Sequence, residues 1–248
     1  NRFGCYCRKV RCVFVTHQLF IKMPSRLLEK IVRQVNYYFI SRFNECWLPD
    51  VEGQPNLSGE LSHSEQFPKN FTFHYLGALS RMVKKEVKKK YDLIVVLSGP
   101  EPERTNFEHL ILQQAKNLQQ QILILQGKTE EAVHFFYNNI EIISHLSSQE
   151  LNEAILASDL FIGRSGYTSI MDLAKLGKRA VLIPTPGQTE QEYLADYFYQ
   201  QGIFFCQSQM AFDLKIALEE APKFKGLSES FFNEEALRGV VENFLSRL

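Results

Sequence analysis

The chain has 248 residues, of which 28 are basic and 28 acidic, so its formal net charge is zero; 45% of it is hydrophobic and 23% charged. That length allows one large or two small domains with sizeable cores. The neutral balance leaves no electrostatic footprint for a nucleic-acid partner, and no window approaches the roughly 18 uninterrupted apolar residues of a membrane helix.

Asn1-Arg2-Phe3-Gly4 opens in mid-pattern, as expected of an N-terminally incomplete chain. The five cysteines, Cys5, Cys7, Cys12, Cys46 and Cys206, are odd in number and scattered. They argue against a disulfide framework and for a reducing, cytoplasmic setting. Cys5, Cys7 and Cys12 lack the two-residue spacer of common zinc sites, so no metal is expected.

Val10 to Val15 is mostly β-branched and apolar, and predicts a strand ending at Thr16-His17-Gln18. From Ser25, the residues Leu27, Leu28, Ile31, Val32, Val35, Tyr38 and Phe39 recur at helical spacing and predict a helix. Glu45 to Leu48 reads as a short strand meeting a loop at Pro49-Asp50. Val51 to Lys69 is rich in Gly, Pro, Ser and Asn and reads as loop. Phe71 to Leu76 is one more strand, closing at Gly77. Residues 1–78 therefore read as the later part of an α/β domain. A linker over 79–91 follows, carrying Lys84, Lys85, Lys88, Lys89 and Lys90. This run is either a solvated linker or a patch drawn to an anionic membrane surface, at about 1 kcal/mol per basic residue close to it.

From 92 to 222 strands and helices alternate. Leu93–Leu97, Ile122–Leu125, Ile140–Ile143, Leu160–Gly163, Val181–Ile183 and Phe204–Cys206 read as six buried strands. Thr105 and Glu108 are spaced as a capping box. Glu130 to Tyr137 reads as a short helical piece, and Glu190 to Gln201 as a helix stopped by Gly202. Helices from about Phe212 and Glu234 finish the chain. The fold class is α/β, with one complete doubly wound parallel sheet over 92–222. In such sheets ligands sit beyond the carboxyl ends of the strands. The turns at Ser98-Gly99, His145-Leu146, Arg164-Ser165-Gly166 and Thr185-Pro186-Gly187 all follow strands and line that edge.

Gly166 allows close approach of backbone to a phosphate, and Ser165 and Thr168 add hydroxyls beside a helix start. The same pattern also serves an ordinary strand-to-helix turn. Asp172, two helical turns on, suits the two hydroxyls of a ribose, and its apolar neighbours Ile170, Met171, Leu173 and Ala174 set it apart from a solvated helix acid. Gln191 and Glu192 begin a helix where they can reach sugar hydroxyls. Arg104, after Ser98-Gly99, is the fixed cation nearest that turn in sequence. Pro100-Glu101-Pro102-Glu103 makes the turn unlike a Walker loop, so ATP hydrolysis is not supported.

Together these residues resemble a family. Asp92 to Cys206 resembles the donor-binding domain of the family-28 glycosyltransferases, the group of the peptidoglycan N-acetylglucosaminyltransferase, which have the GT-B fold. The resemblance rests on Arg164-Ser165-Gly166-Tyr167-Thr168, on Asp172 where the family usually has glutamate, and on the pair Gln191-Glu192. It implies that Asp172 holds the ribose of UDP and that Gln191-Glu192 contacts the donor sugar. Ser98-Gly99-Pro100 departs from the family's Gly-Gly-Ser phosphate loop. Val13-Phe14-Val15-Thr16-His17-Gln18 is similar to the acceptor-domain strand ending in His-Glu-Gln-Asn, with Gln18 in place of the glutamate. Gly77-Ala78-Leu79-Ser80-Arg81 stands at the interdomain linker. The family's glycine-rich first loop has no counterpart.

The resemblance implies a two-lobed transferase, with 223–248 packing back on the first domain. Such an enzyme moves a hexose or N-acetylhexosamine from a UDP-sugar to a lipid-linked or soluble acceptor, inverting the anomeric centre without metal or other cofactor. His17 is the candidate general base, and the substrate-binding set is Ser98, Gly99, Arg104, His145, Leu146, Arg164, Ser165, Gly166, Tyr167, Thr168, Asp172, Gln191 and Glu192. The expected location is cytoplasmic, peripheral on the inner face of the membrane. The alternatives are a UDP-sugar epimerase or hydrolase on the same fold, or a non-catalytic donor-binding subunit that needs a partner.

Overall fold

The computed structural model describes residues 10–23, 25–63, 71–130 and 132–248. Cys5 and Cys7 therefore lie outside the described residues. The chain forms two compact units, one from the residues up to Leu79 together with Ser230–Leu248, the other from Ser80–Glu229.

In the first unit, β1 (Val13–Val15), β2 (Glu45–Leu48) and β3 (Phe73–Tyr75) make a parallel sheet in that order, with α1 (Arg26–Ile40) connecting β1 to β2. The register sets Val15 beside Trp47 and Trp47 beside His74. Leu19, Phe20, Ile40, Cys46 and Leu48 are the buried core, with Phe14, Tyr37 and Phe73 packed on it. The helix forms as its periodicity predicts, but its apolar stripe does not face this core. Leu27 is 68% exposed, Ile31 51%, Val35 50% and Tyr38 59%. α1 meets the core instead through Ile40, through Tyr37 edge-on to Phe20, and through the Asn36 amide bonded to Leu19 O at 3.0 Å. Periodicity locates the stripe on a helix; it does not say which side the sheet will cover. The C-terminal helix, Glu234–Leu245, is capped by Asn233 and joins this unit through Phe244 edge-on to Trp47 and Arg247 paired with Glu45 at 2.7 Å.

The second unit runs β4 (Tyr91–Val96), α2 (Glu103–Ala115), β5 (Ile122–Leu125), β6 (His134–Tyr137), β7 (Ile140–Ile143), α3 (Ser148–Leu156) and β8 (Ser158–Gly163). It continues with α4 (Tyr167–Leu176), β9 (Arg179–Leu182), α5 (Thr189–Gln200), β10 (Phe205–Cys206) and α6 (Leu214–Glu220). The sheet order is β10-β9-β8-β4-β5-β7-β6, all parallel except β6. Leu93, Val95, Ile122, Ile124, Ile162 and Val181 fill the middle of the sheet, and Phe107, Ile111 and Ala217 cover it from the helices. Each large side chain buried here stabilises by roughly 1.5–3 kcal/mol relative to exposure.

Two local expectations are corrected. The segment ending at Tyr137 is a strand, because His134-Phe135-Phe136-Tyr137 folds back on β7 through a two-residue hairpin whose first residue, Asn138, has φ 54°. The Thr105–Glu108 capping box does not form. α2 starts three residues earlier, with Pro102 at the N-cap; Glu101 accepts the Thr105 N–H at 3.1 Å, and Glu108 is buried against the Gln126 amide.

The basic run lies in an extended segment, and four of its five lysines face acids of the same unit. Lys84 pairs with Glu229, Lys85 with Glu153, Lys89 with Asp92 and Asp159, and Lys90 with Glu141. The charge of these four lysines is thus compensated within the second unit. No described helix is long and apolar enough to cross a membrane.

Candidate donor site at the sheet edge

β5 and β8 lie on opposite sides of β4, so the sheet reverses its order between β4 and β8. The register pairs Val96 with Gly163, and Gly163 with Leu182. The turns Ser98-Gly99, Arg164-Gly166 and Thr185-Gly187 are thereby carried to the same carboxyl edge, at the switch point where such folds bind ligands.

Arg164 was expected at the ligand, and its side chain is instead structural. It is 3% exposed, and its five N–H groups all point to acceptors. Nη1 donates to Ile183 O and Pro184 O, both at 3.3 Å, and Nη2 to Glu103 O at 3.1 Å and Gln209 Oε1 at 2.6 Å. Nε reaches Ser98 O at 3.5 Å, and the guanidinium lies over the Phe107 ring at 4.8 Å. One cation therefore ties the ends of β4 and β9 to the start of α2. Ser165 is fully buried and donates to Gln191 O at 2.7 Å, joining the turn after β8 to α5. Tyr167 is core at 2% exposure. Of the five-residue motif, Gly166 and Thr168 reach the surface. Gly166 precedes α4 with no side-chain cap, and a Cβ placed on it would meet nothing within 4 Å. The start of α4 therefore carries no side-chain cap at Gly166.

Asp172 is half-buried on α4. Ser80 Oγ donates to Oδ1 at 2.6 Å, and Oδ2 has no partner among the described residues. Burial pushes the Asp172 carboxyl above its ordinary pKa, and the Ser80 bond and Arg81 charge offset this only in part. An under-satisfied carboxylate of this kind suits a pair of sugar hydroxyls. Gln191 and Glu192 hold the preceding loop: Gln191 Oε1 accepts from Thr185 N at 2.8 Å and Glu192 Oε1 from Gly187 N at 2.9 Å.

Ser98 and Gly99 are exposed on their turn. Arg104 is committed to Glu101 at 2.6 Å and to Gly127 O at 2.7 Å, so its charge is shared before any phosphate arrives. Gly127 has φ 69°, and a Cβ there would lie 2.5 Å from Leu97 O, which explains the glycine where β4 and the turn after β5 touch. His145 is exposed beside Lys128 O at 3.1 Å, and Leu146 is half-buried. In the first unit His17 follows β1 at the carboxyl edge of its own sheet, where Asp50, two residues beyond β2, is bonded by His63 at 3.3 Å. Asp50 and His63 carry no recognisable spacing and were not singled out from sequence.

Comparison with known proteins fits this geometry. The profile of the glycosyltransferase family 28 C-terminal domain matches residues 93–220. The UDP-N-acetylglucosamine–N-acetylmuramyl-(pentapeptide) pyrophosphoryl-undecaprenol N-acetylglucosamine transferase of Caldicellulosiruptor saccharolyticus is 26% identical over 271 residues, covering 94% of this chain and 70% of the relative. Among solved structures, Acinetobacter baumannii MurG superposes with a TM-score of 0.58 at 11% identity, over 99% of this chain and 69% of that one. A putative UDP-N-acetylglucosamine 2-epimerase of Listeria monocytogenes gives 0.59 at 14% identity, over 99% and 69%. These likenesses are to GT-B folds.

Proposed function

Since the chain belongs to glycosyltransferase family 28, we propose that it transfers a sugar, an N-acetylhexosamine or a hexose, from a UDP-sugar to a lipid-linked or soluble acceptor with inversion. The observation that carries the reading is the switch-point edge itself, where the uncapped start of α4 and the half-satisfied Asp172 lie on one helix. The relative from Caldicellulosiruptor saccharolyticus is named for a UDP-N-acetylglucosamine donor and an undecaprenol-linked acceptor, which supports the same classes here.

In the reaction an acceptor hydroxyl oxygen forms a bond to the anomeric carbon as the bond to the UDP oxygen breaks. The hydroxyl proton passes to a base, and UDP leaves as the anion. N–H groups at the start of α4 and at Ser98-Gly99 take the diphosphate charge, with Arg104 assisting, so that this reading needs no metal. Asp172 Oδ2 accepts from the ribose hydroxyls, and Thr168, His145, Leu146, Gln191 and Glu192 border the donor. Ser165 and Arg164 contribute by fixing the loops. His17 is the base candidate that the family resemblance supplies. A peripheral position at an anionic membrane surface fits a lipid-linked acceptor.

Incubation with radiolabelled UDP-N-acetylglucosamine and a lipid-linked disaccharide acceptor, followed by product separation, tests the proposal. A labelled acceptor supports it. An epimerised UDP-sugar, free sugar, or recovery of the unchanged donor with the acceptor present overturns it in favour of an epimerase, a hydrolase or a donor-binding subunit respectively.

A further inference from the structure

Among the described residues, Thr185, just past β9 at this carboxyl edge, carries a buried polar atom that is unsatisfied. Thr185 is 2% exposed, and its Oγ1 has no hydrogen-bond partner among the described residues. Its backbone is fully engaged: the N–H donates to Gln191 Oε1 at 2.8 Å and the carbonyl accepts from Gln188 N at 3.0 Å. The residue is therefore pinned from both sides, and the hydroxyl is held in place without being used.

A lone buried hydroxyl costs stability, and an isosteric valine at such a place is ordinarily neutral or better. What Oγ1 faces is the turn after β4. It lies 3.4 Å from the point a Cβ would occupy on Gly99, which has φ 98° and an open, exposed backbone. A positive φ there favours glycine, and the missing side chain leaves the hydroxyl covered on that side by glycine backbone alone, which a phosphate can approach closely. Of the neighbouring guanidinium groups, Arg164 is saturated by carbonyls, and Arg104, already paired with Glu101, adds only a shared charge.

We infer that the Thr185 hydroxyl is a diphosphate-binding group, donating a hydrogen bond to a phosphate oxygen of the UDP moiety. The inference rests on the UDP-sugar reading above and adds a contact that the motif residues do not supply. It also assigns a reason to the Gln191–Thr185 bond. The amide at the head of α5 fixes the loop that holds this hydroxyl beside Gly99, making Gln191 a positioning residue for the phosphate whatever it does with the sugar.

The test uses the whole chain and three variants, Thr185→Val, Thr185→Ser and Asp172→Ala, titrated with UDP and with uridine and melted without ligand. Thr185→Val should weaken UDP about tenfold, the lower range for a hydrogen bond to a charged group. It should leave uridine within about twofold, and melt at or above the wild-type temperature because an unsatisfied polar group has gone. Thr185→Ser should keep UDP affinity within about threefold. If UDP binds the wild type and Thr185→Val equally while Asp172→Ala weakens it, the hydroxyl has no role and the donor reading stands. Equal losses for UDP and uridine in Thr185→Val, or a lowered melting temperature, would make Thr185 a packing residue and overturn the contact. If the wild type binds neither UDP nor uridine, the donor reading falls and this inference falls with it.

Discussion

At the carboxyl edge of the seven-stranded sheet Arg164 gathers carbonyl groups, four from the turns around it, while at the carboxyl edge of the three-stranded sheet Asp50 gathers N–H and O–H groups. Asp50 is fully buried; it accepts from Val51 N at 2.8 Å, Leu57 N at 3.0 Å, Ser58 N at 2.8 Å, Ser58 Oγ at 2.6 Å and His63 Nε2 at 3.3 Å. Each charge solves the same problem, converging loop ends whose polar groups need partners away from water. The signs differ because one edge presents strand-end carbonyls and the other a loop folded N–H inward. The difference has a consequence: a guanidinium keeps its charge at any pH a protein survives, whereas a carboxylate does not.

The largest effect should come from Arg164→Ala, which strips a donor from every one of those carbonyls and from Gln209 at once. A loss of about 3 kcal/mol or more is expected in denaturant unfolding of the second unit, with hydrogen-exchange protection falling at β8 and β9. A loss under about 1 kcal/mol would mean that the loops hold themselves. Asp50→Asn should cost the first unit roughly 2 kcal/mol, since several bonds to a charged acceptor become bonds to a neutral one. Acid sharpens the contrast. Burial alone would raise the Asp50 pKa, but the bonds from His63, Ser58 and Leu57 outweigh it and hold the carboxyl below its ordinary value. A depressed pKa stabilises the fold above the unfolded value, near 3.9, and that stability fades as pH falls through the folded value. Exchange protection around β2 should therefore drop in acid in the wild type and change less in Asp50→Asn; equal acid sensitivity in both would remove Asp50 from the account.

The same two charges show what could be read from the sequence. The six parallel strands of the second unit were legible because runs such as Leu93–Leu97 and Ile122–Leu125 are continuously apolar, as a sheet covered on both faces requires. The ends of those strands were legible as a ligand edge for the same topological reason. The role of Arg164 was not, since a motif arginine near a phosphate site looks the same in sequence whether its guanidinium faces a ligand or five backbone and amide oxygens. Asp50 and Thr185 were silent because their meaning lies in long-range partners, Leu57 and Ser58 for one and Gly99 for the other. β6 was misread because four aromatic residues beside a polar turn fit a helical piece as well as a hairpin until β7 is placed next to them.

A second carboxylate in the same molecule provides the next, smaller test. Asp172 has one donor where Asp50 has five, and its pKa is raised where that of Asp50 is lowered. If the deficit marks a ligand position, Asp172→Ala should weaken UDP by at least about 1 kcal/mol in calorimetry. Because bound ribose hydroxyls favour the charged form, affinity should also decline as pH falls through the raised Asp172 pKa. A UDP affinity unchanged by the substitution, or flat across that acid range, would reduce Asp172 to a helix acid held by Ser80.

The smallest effect expected is on α1. Ile31, half exposed on the apolar stripe of that helix, should tolerate Ile31→Gln with a change within about 0.5 kcal/mol, as surface positions do. The two sheets differ most here, because α1 turns its apolar side to solvent while the helices of the second unit bury theirs. A loss of about 2 kcal/mol or more in Ile31→Gln, the size of a core truncation, would show that this face is covered in solution. The contrast between a fully covered sheet and a half-covered one would then belong to the isolated chain alone.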